Sequence, residues 1–555
     1  DAALAGASDI IAEWASENIR LRGIVRNTFR RTAEISASVP KDKSAELASS
    51  PFADYASFRK PLRRCASHQY LALRRAEREG LLKVKIEIPD ADSLTEALTC
   101  AFVPRHATKA CEAVISAAVT DAYRRLLRPS VETEIASEMK DEADRVAIDI
   151  FAGNLRQLLM APPLSGRRVL AIDPGYRTGC KVVALDEQGA LLDDAVIYPA
   201  APRNDTDGSR AVLERLVRRH SLQVAAIGNG TASRETEAFV KASGIFPAGD
   251  VHVVSESGAS VYSASDIARK ELPDKDVTVR GAVSIGRRLI DPLAELVKIE
   301  PKAIGVGQYQ HDVDQGRLKD ALDYTVMSCV NAVGVDVNTA SACLLAYISG
   351  IGPALAENIV RYRTEHGRFA TREELRRVPR LGDKAFELSA GFLRIPGGKN
   401  PLDNTGIHPE SYPLVRELAS RLGVAADKLV GDKGAGTDLA GLQLTPTLAD
   451  IIQELRKPGR DPRLDKSEGD FVPDIDSFGQ LAEGMVLSGV VDNITAFGAF
   501  VNLGIKESGL VHISEISDRR IASVGDVLRM GQQVKVRVLA VDPVRRRISL
   551  SMKNV

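Results

Sequence analysis

RRVLAIDPGYRTGCKVVALDEQGALLDD, residues 167–194, is the stretch on which the reading of the chain turns. An apolar run at 169–172 ends on an acid, Asp173, and Pro174 with Gly175 then forces a tight turn. A second apolar run follows at 180–185. Asp186-Glu187-Gln188-Gly189 has the composition of a hairpin turn into a third strand. Further out, helical periodicity over 208–220 leads to an apolar strand at 224–228. A second helix at 233–242 and a third apolar run at 251–254, which stops just before Glu256, complete the pattern. Three hairpin-linked strands followed by strand–helix alternation predict a mixed sheet with helices packed on it.

This succession, with a carboxylate closing the first strand, resembles the RNase H-like fold. The candidate catalytic and metal-holding carboxylates are then Asp173, Glu256 and, within SIGRRLIDPLAEL, Asp291. The resemblance implies Mg²⁺ or Mn²⁺ as the ion such a set would take. The plain alternative is that Asp173 is a polar strand end.

At 555 residues the chain has room for several domains of roughly 100–200 residues each. Its composition, 44% apolar and 27% charged, is that of an ordinary water-exposed protein. No window approaches the ~18 uninterrupted apolar residues of a membrane span, and no signal-peptide pattern opens the sequence. The six cysteines form no CxxC pair and no Cys/His cluster, which suits a reducing cytoplasm without structural zinc. The net charge of zero hides basic regions: residues 59–85 hold nine Lys/Arg against two acids, and 484–555 hold ten against six.

Residues 1–165 read as a helical region that opens like the interior of a longer helical protein. Ile10, Ile11, Trp14, Ile19, Leu21 and Val25 mark one apolar stripe; Val114, Ala118, Ala122, Tyr123 and Leu126 mark another. Between them Arg59, Lys60, Arg63, Arg64, Arg74, Arg75 and Arg78 form either a solvated helix face or a phosphate-facing surface. The sheet domain spans 166–300, and 301–337 is a helical connector whose Leu318, Leu322, Val326 and Val330 recur every four residues. Over 338–396, helix–glycine–helix patterns occur twice, at Gly350-Ile351-Gly352 and at Leu381-Gly382. Backbone N–H groups at such helix starts can hold a phosphate oxygen, with Arg361, Arg363, Arg368 and Lys384 as counter-charge. An ordinary helical hairpin is the alternative. Residues 397–409 read as a linker, 403–460 include a small helical domain, and 456–475 read as a second linker.

The last module, 480–555, has five short β patterns with glycine-bearing turns and fits a five-stranded OB barrel. FGAFVNLGIKESGLVHISE is similar to the S1 RNA-binding domain. The resemblance places Phe497, Phe500 and His512 as base-stacking rings, with Asp542 and Arg546 of DPVRRR as polar contacts. Flat rings offer stacking to any base, and nearby basic groups track the backbone.

Over nearly its full length the chain resembles the Tex-type transcription accessory proteins of bacteria. The resemblance is carried by IDPGYRTG (172–179), GVGQYQHDV (305–313), CVNAVGVDVNTAS (329–341), AGFLRI (390–395) and NPLDNTGIHPE (400–410). It implies a multidomain α+β architecture: a helical N-terminal region, a YqgF-type RNase H-like domain, tandem helix–hairpin–helix units, a small helical domain and a C-terminal S1 barrel. Members usually begin with a helix-turn-helix segment, which this chain is expected to lack or to carry cut short. The implied partners are single-stranded RNA, DNA as a second ligand, and the transcription machinery, in the cytoplasm and away from membranes. Two functions from different classes follow: a non-enzymatic nucleic-acid-binding scaffold, or a metal-dependent nuclease. In Holliday-junction resolvases the fourth strand also ends in a glutamate, whereas the matching place here is Gly228 and no acid follows before Glu235. Glu256 would have to stand in, and Arg287 and Arg288 could pair with the acids. The expectation is a catalytically weak or silent site and a scaffold function.

Overall fold

The computed structural model describes residues 2–305, 307–421, 423–431, 446–456, 458–459, 461–464, 475, 478–495, 497–505, 507–519, 521, 523–529, 532–543, 546–553 and 555. The chain opens with α1 (Ala2–Glu17), α2 (Ile19–Thr32), α3 (Ser67–Arg78), α4 (Ala91–Phe102), α5 (Lys109–Ala122) and α6 (Arg128–Leu159). These helices surround a small antiparallel sheet of order β2-β1-β3, made of β1 (Glu34–Ser38), β2 (Arg59–Pro61) and β3 (Lys83–Glu87). The helical reading passed over this sheet, although EISAS and KVKIE alternate and turn Ile35 and Ile86 inward.

The first expected stripe is corrected. Helix α1 packs on α5 through Ala12 and Ala15, while Ile10 and Trp14 are 50% and 64% exposed. Small residues let two helix backbones approach closely, so the alanine face wins the interface. Leu21 and Val25 are buried as expected, but Ile19 is exposed.

The central sheet has the order β6-β5-β4-β7-β8, built from β4 (Val169–Asp173), β5 (Cys180–Leu185), β6 (Leu191–Ile197), β7 (Val224–Gly228) and β8 (Val251–Val254). Strand β4 runs antiparallel to β5 and parallel to β7, with Asp173 opposite Lys181 and Ile172 opposite Ile227. Both faces are covered. Leu170, Ile172 and Val182 meet α7 (Thr206–His220) and α8 (Ser233–Ser243) through Leu213, Leu216 and Val240. Val169, Ala171 and Val183 meet α9 (Val277–Ile290) through Ala282, Val283 and Ile285. Burial on two faces is why these strands read as continuous apolar runs rather than alternating ones.

Helix α10 (Gln315–Val333) buries Leu318, Leu322, Val326, Cys329 and Val330 and packs along α6, as its four-residue spacing predicts. Next come a short helix (Ala342–Leu345), α11 (Pro353–His366), a 3₁₀ turn (Arg372–Arg377) and α12 (Asp383–Ser389). Residues 397–409 are not a linker. Arg372, 1% exposed, donates to the carbonyls of Leu393, Thr405 and Ile407 and to the Tyr412 hydroxyl. The buried Asp403 carboxylate accepts the Arg372 N–H and the Tyr412 hydroxyl. These bonds tie the segment to α13 (Tyr412–Arg421), which shares a small core with α14 (Pro446–Arg456). Much of the second expected linker lies outside the described residues. Its Arg463 is 4% exposed and paired with Asp291 and Asp461.

The chain ends in a closed barrel of order β9-β10-β11-β13-β12. Its strands are β9 (Val486–Thr495), β10 (Gly498–Asn502), β11 (Gly509–His512), β12 (Gln533–Asp542) and β13 (Arg547–Ser551). Among the described residues no helix is long and apolar enough to cross a membrane.

Candidate nucleic-acid interface

Strand alternation sets the barrel's outer face. Ala499, Val501 and Val511 are buried inside, so Phe500, Leu510 and His512 point outward. Phe500 is half-buried and cross-strand from Leu510; His512 is exposed, with Nδ1 hydrogen-bonded to the Ser514 hydroxyl at 2.8 Å. Phe497 is placed differently. Its ring stands edge-on to Phe500, centroids 6.2 Å apart, and lies 4.4 Å from the ring of His68 on α3. It closes a small cleft with Leu71, Ala147, Phe151 and Tyr309. Asn154 on α6 donates to the Ile494 carbonyl, and Arg547 pairs with Asp54 at 2.8 Å, so the barrel is docked on the helical region. Two of the three expected rings therefore lie on the open face, and the third sits at the joint.

His68 has no counterpart in the sequence reading, because nothing local ties it to a barrel more than 400 residues away. Burial pushes its imidazole down to about 4, helped by the positive charge of Lys60 and by His512, so the ring is neutral at pH 7. Arg546 holds a left-handed backbone, φ 50°, and pairs with Glu507 at 2.8 Å. Asp542 ends β12 opposite Arg547.

In the first helical hairpin Gly350 adopts φ 83°, and a Cβ there would lie 2.8 Å from the Leu388 Cβ; only glycine fits where the two hairpins meet. Gly352 caps α11 with ordinary extended backbone (φ −88°) and nothing within 4 Å of its Cβ position. Its role is openness rather than conformational freedom: the space beside Gly352 is clear, and because Pro353 has no N–H and the Leu355 N–H bonds the Gly352 carbonyl, the N–H of Ala354 is the donor this turn offers. Gly382 caps α12 in the same way. There Arg380 takes the place of Gly350, at φ 70°, and neither the helical periodicity nor the glycine pattern pointed to it. Helix α12 has seven residues and begins with Asp383, which pairs with Arg376. Two hairpins are present, but the first offers a phosphate the longer helix. Arg368 and Lys384 are exposed, and Arg361 is exposed while donating to the Asn358 side chain. Arg363 is turned inward, half-buried and donating to the Val337 carbonyl, so it is unsuited to meeting a phosphate.

At the sheet, Asp173 and Glu256 come together and Asp291 does not. Glu256 follows β8 and reaches over the end of β7, where a Cβ on Gly228 would lie 2.9 Å from its Oε2 and 3.2 Å from Pro174. Its carboxylate fills the space an acid at 228 would need. Burial, and then the Glu256 charge, push Asp173 up to about 6. Helix α9 presents Gly281 to Asp173, 3.2 Å from Cβ position to Oδ2, and Ile285 to Gly228. Asp291 is ten residues beyond Gly281, about 15 Å along a helix at ~1.5 Å per residue. It caps the next helical turn and is held by Arg463 at 2.7 Å. Arg288 donates to the carbonyls of Ser255 and Ser257 on either side of Glu256, which fixes that loop rather than pairing with the acid. Arg287 pairs with Glu271. Two-metal hydrolysis needs several carboxylates around ions ~3.5–4 Å apart. Among the described residues no group of three or more His, Cys, Asp or Glu could hold a metal. The two carboxylates brought together here, Asp173 and Glu256, fall short of the set that two-metal hydrolysis uses.

Comparison with known proteins matches these units one by one. Residues 1–151 match the Tex central region-like model, 167–290 the Tex protein YqgF-like domain and 330–394 the helix-hairpin-helix motif. Residues 400–463 match a further HHH domain and 480–553 the S1 RNA binding domain. The small helical unit thus has a helix-hairpin-helix relationship that its sequence pattern did not suggest. The chain is 45% identical to Protein tex of Bordetella pertussis over 573 aligned residues, covering 100% of this chain and 72% of that protein. It is 45% identical to the transcriptional accessory protein Tex of Neisseria gonorrhoeae, covering 74% of it. A human S1 RNA-binding domain-containing protein 1 is 33% identical, with 63% of its length covered.

Proposed function

The chain belongs to the Tex family, and from that premise we propose that it is a nucleic-acid-binding transcription accessory factor that prefers single-stranded RNA and reads no particular sequence. The observation that carries this reading is the barrel's outer face, to which half-buried Phe500 on β10 and exposed His512 on β11 both point, two pairing positions apart. A stacking face accepts every base, so sequence preference is weak. The open first turn of α11 adds a phosphate contact, which positions the strand without reading it. DNA is the second ligand, the transcription machinery is the protein partner, and the cytoplasm is the place of action.

The sheet domain serves in this reading as a docking platform. Asp173 and Glu256 alone do not make the donor set that phosphodiester hydrolysis requires. The test is fluorescence anisotropy on single- and double-stranded RNA and DNA of several sequences, with cleavage followed in the same tubes with Mn²⁺. Tight binding to single-stranded RNA of any sequence, without cleavage, is expected. Cleavage that vanishes in Asp173→Asn would overturn the platform assignment. Equal affinity of a chain ending at Asp474 would overturn the role of the barrel.

A further inference from the structure

The basic run at 59–78 divides into two parts in the structure. On α3 its cations are taken: Arg74 pairs with Glu77, Arg75 with Glu79, and Arg78 with Asp312 at 2.6 Å. Arg59 pairs with Glu34 at 2.7 Å, and Lys60 donates to Gln69. Arg63 and Arg64 differ. They lie on the 3₁₀ turn Leu62–Arg64 between β2 and α3, both exposed, with no ion pair or hydrogen bond among the described residues. Paired cations on a helix face contribute little beyond solubility. Two adjacent unpaired guanidiniums keep all their donors for an outside anion.

Their position gives these two arginines a partner. The turn runs directly into α3, whose second residue, His68, packs its ring against Phe497 of the barrel. The same His68 senses the charges of both Lys60 and His512, so the corner and the barrel's stacking face are electrostatic neighbours. Three rings lie in one continuous row across the joint: His68 at 4.4 Å from Phe497, and Phe497 at 6.2 Å from Phe500. The Asp54–Arg547 ion pair and the Asn154–Ile494 hydrogen bond hold the two sides together.

We propose that the single-strand path does not end at the barrel but crosses the Phe497–His68 joint onto the β2–α3 corner, where Arg63 and Arg64 grip the phosphates of the outgoing strand. This rests on the reading that the barrel face binds single strands. The helical region is then part of the binding surface, and the docked arrangement of barrel and helices is the competent one. An OB-type barrel alone covers about 4–16 nucleotides, so a strand that also reaches the corner must be longer than the short end of that range.

The test uses the full chain with Arg63→Glu and Arg64→Glu together, and single-stranded oligouridylates of about 5 and about 20 nucleotides. The charge reversal should weaken binding of the long oligomer at least tenfold and leave the short one within about twofold. Neutral replacement by Gln should lower the salt slope for the long oligomer by about 1.4, since each phosphate contact on a single strand contributes about 0.7. Lysines at both positions should restore most of the affinity. Unchanged affinity for the long oligomer overturns the proposal. So does equal weakening of both lengths, which signals long-range field rather than contact. Phe500→Ala with His512→Ala separates the two readings: it should weaken both lengths, and if it weakens neither, the barrel assignment has failed rather than its extension.

Discussion

Replacing Asp173 by Asn should stabilise the central sheet at neutral pH and have no effect in acid. The carboxyl sits at the end of β4, mostly buried, and its folded-state value of about 6 stands against an ordinary 3.8. A proton therefore binds the folded form more tightly than the unfolded one. The protonated group carries no penalty below about pH 4. As pH rises from about 4 to about 6 the folded state must hold a charge that burial and Glu256 oppose, and stability falls. A shift of about two units at 1.36 kcal/mol each gives at most ~3 kcal/mol. Partial exposure screens some of this, so about 1–3 kcal/mol is expected. Asn keeps the shape and removes the charge. In a chain of several units a single melting temperature is poorly defined. The suitable assay is hydrogen exchange on the full chain, following peptides from β4 and β5 for wild type and variant at each pH, so that intrinsic exchange rates cancel. The variant should be more protected above pH 6.5 and equal at pH 4. A variant no more protected at pH 7.5, or a difference that persists at pH 4, would refute the burial argument.

Other outcomes follow from single contacts. Phe500→Ala with His512→Ala should weaken single-stranded RNA binding by well over tenfold in anisotropy, since each base–ring stack contributes about 1–3 kcal/mol. Phe497→Ala should in addition loosen the barrel from the helices, seen as faster exchange in α3 near His68. Gly352→Val places a branched side chain in open space over the first turn of α11, and should lower affinity for all sequences alike while the fold survives. A changed sequence preference at full affinity would contradict backbone binding there. Arg372→Met should cost a few kcal/mol, read as lost protection across 393–412, because three buried carbonyls lose the guanidinium donor at about 1–3 kcal/mol each. Little loss would mean that the segment is held by apolar packing alone.

The sequence by itself determined the strands and helices of the sheet domain and the barrel. A strand buried on both faces must be apolar throughout, and a barrel strand must alternate, so 169–173 and 224–228 declared themselves. Those patterns also set Phe500 and His512 outward. What the pattern could not carry is what covers each face. The stripe at Ile10 and Trp14 is apolar at helical spacing, yet the neighbouring helix chose Ala12 and Ala15. Residues 397–409 have the composition of a linker and are packed because Arg372 needs their carbonyls. Asp291 lies 118 positions from Asp173 in sequence, and only the direction of α9 sends it to the other end of the sheet, into the grip of Arg463. Phe497 was legible as an aromatic ring of the barrel, but its partner, His68, lies over 400 residues earlier. Local sequence fixes dihedral preferences and the polarity of a face. Which faces meet is decided by contacts between segments far apart in the chain, and those appear only when the whole chain has packed.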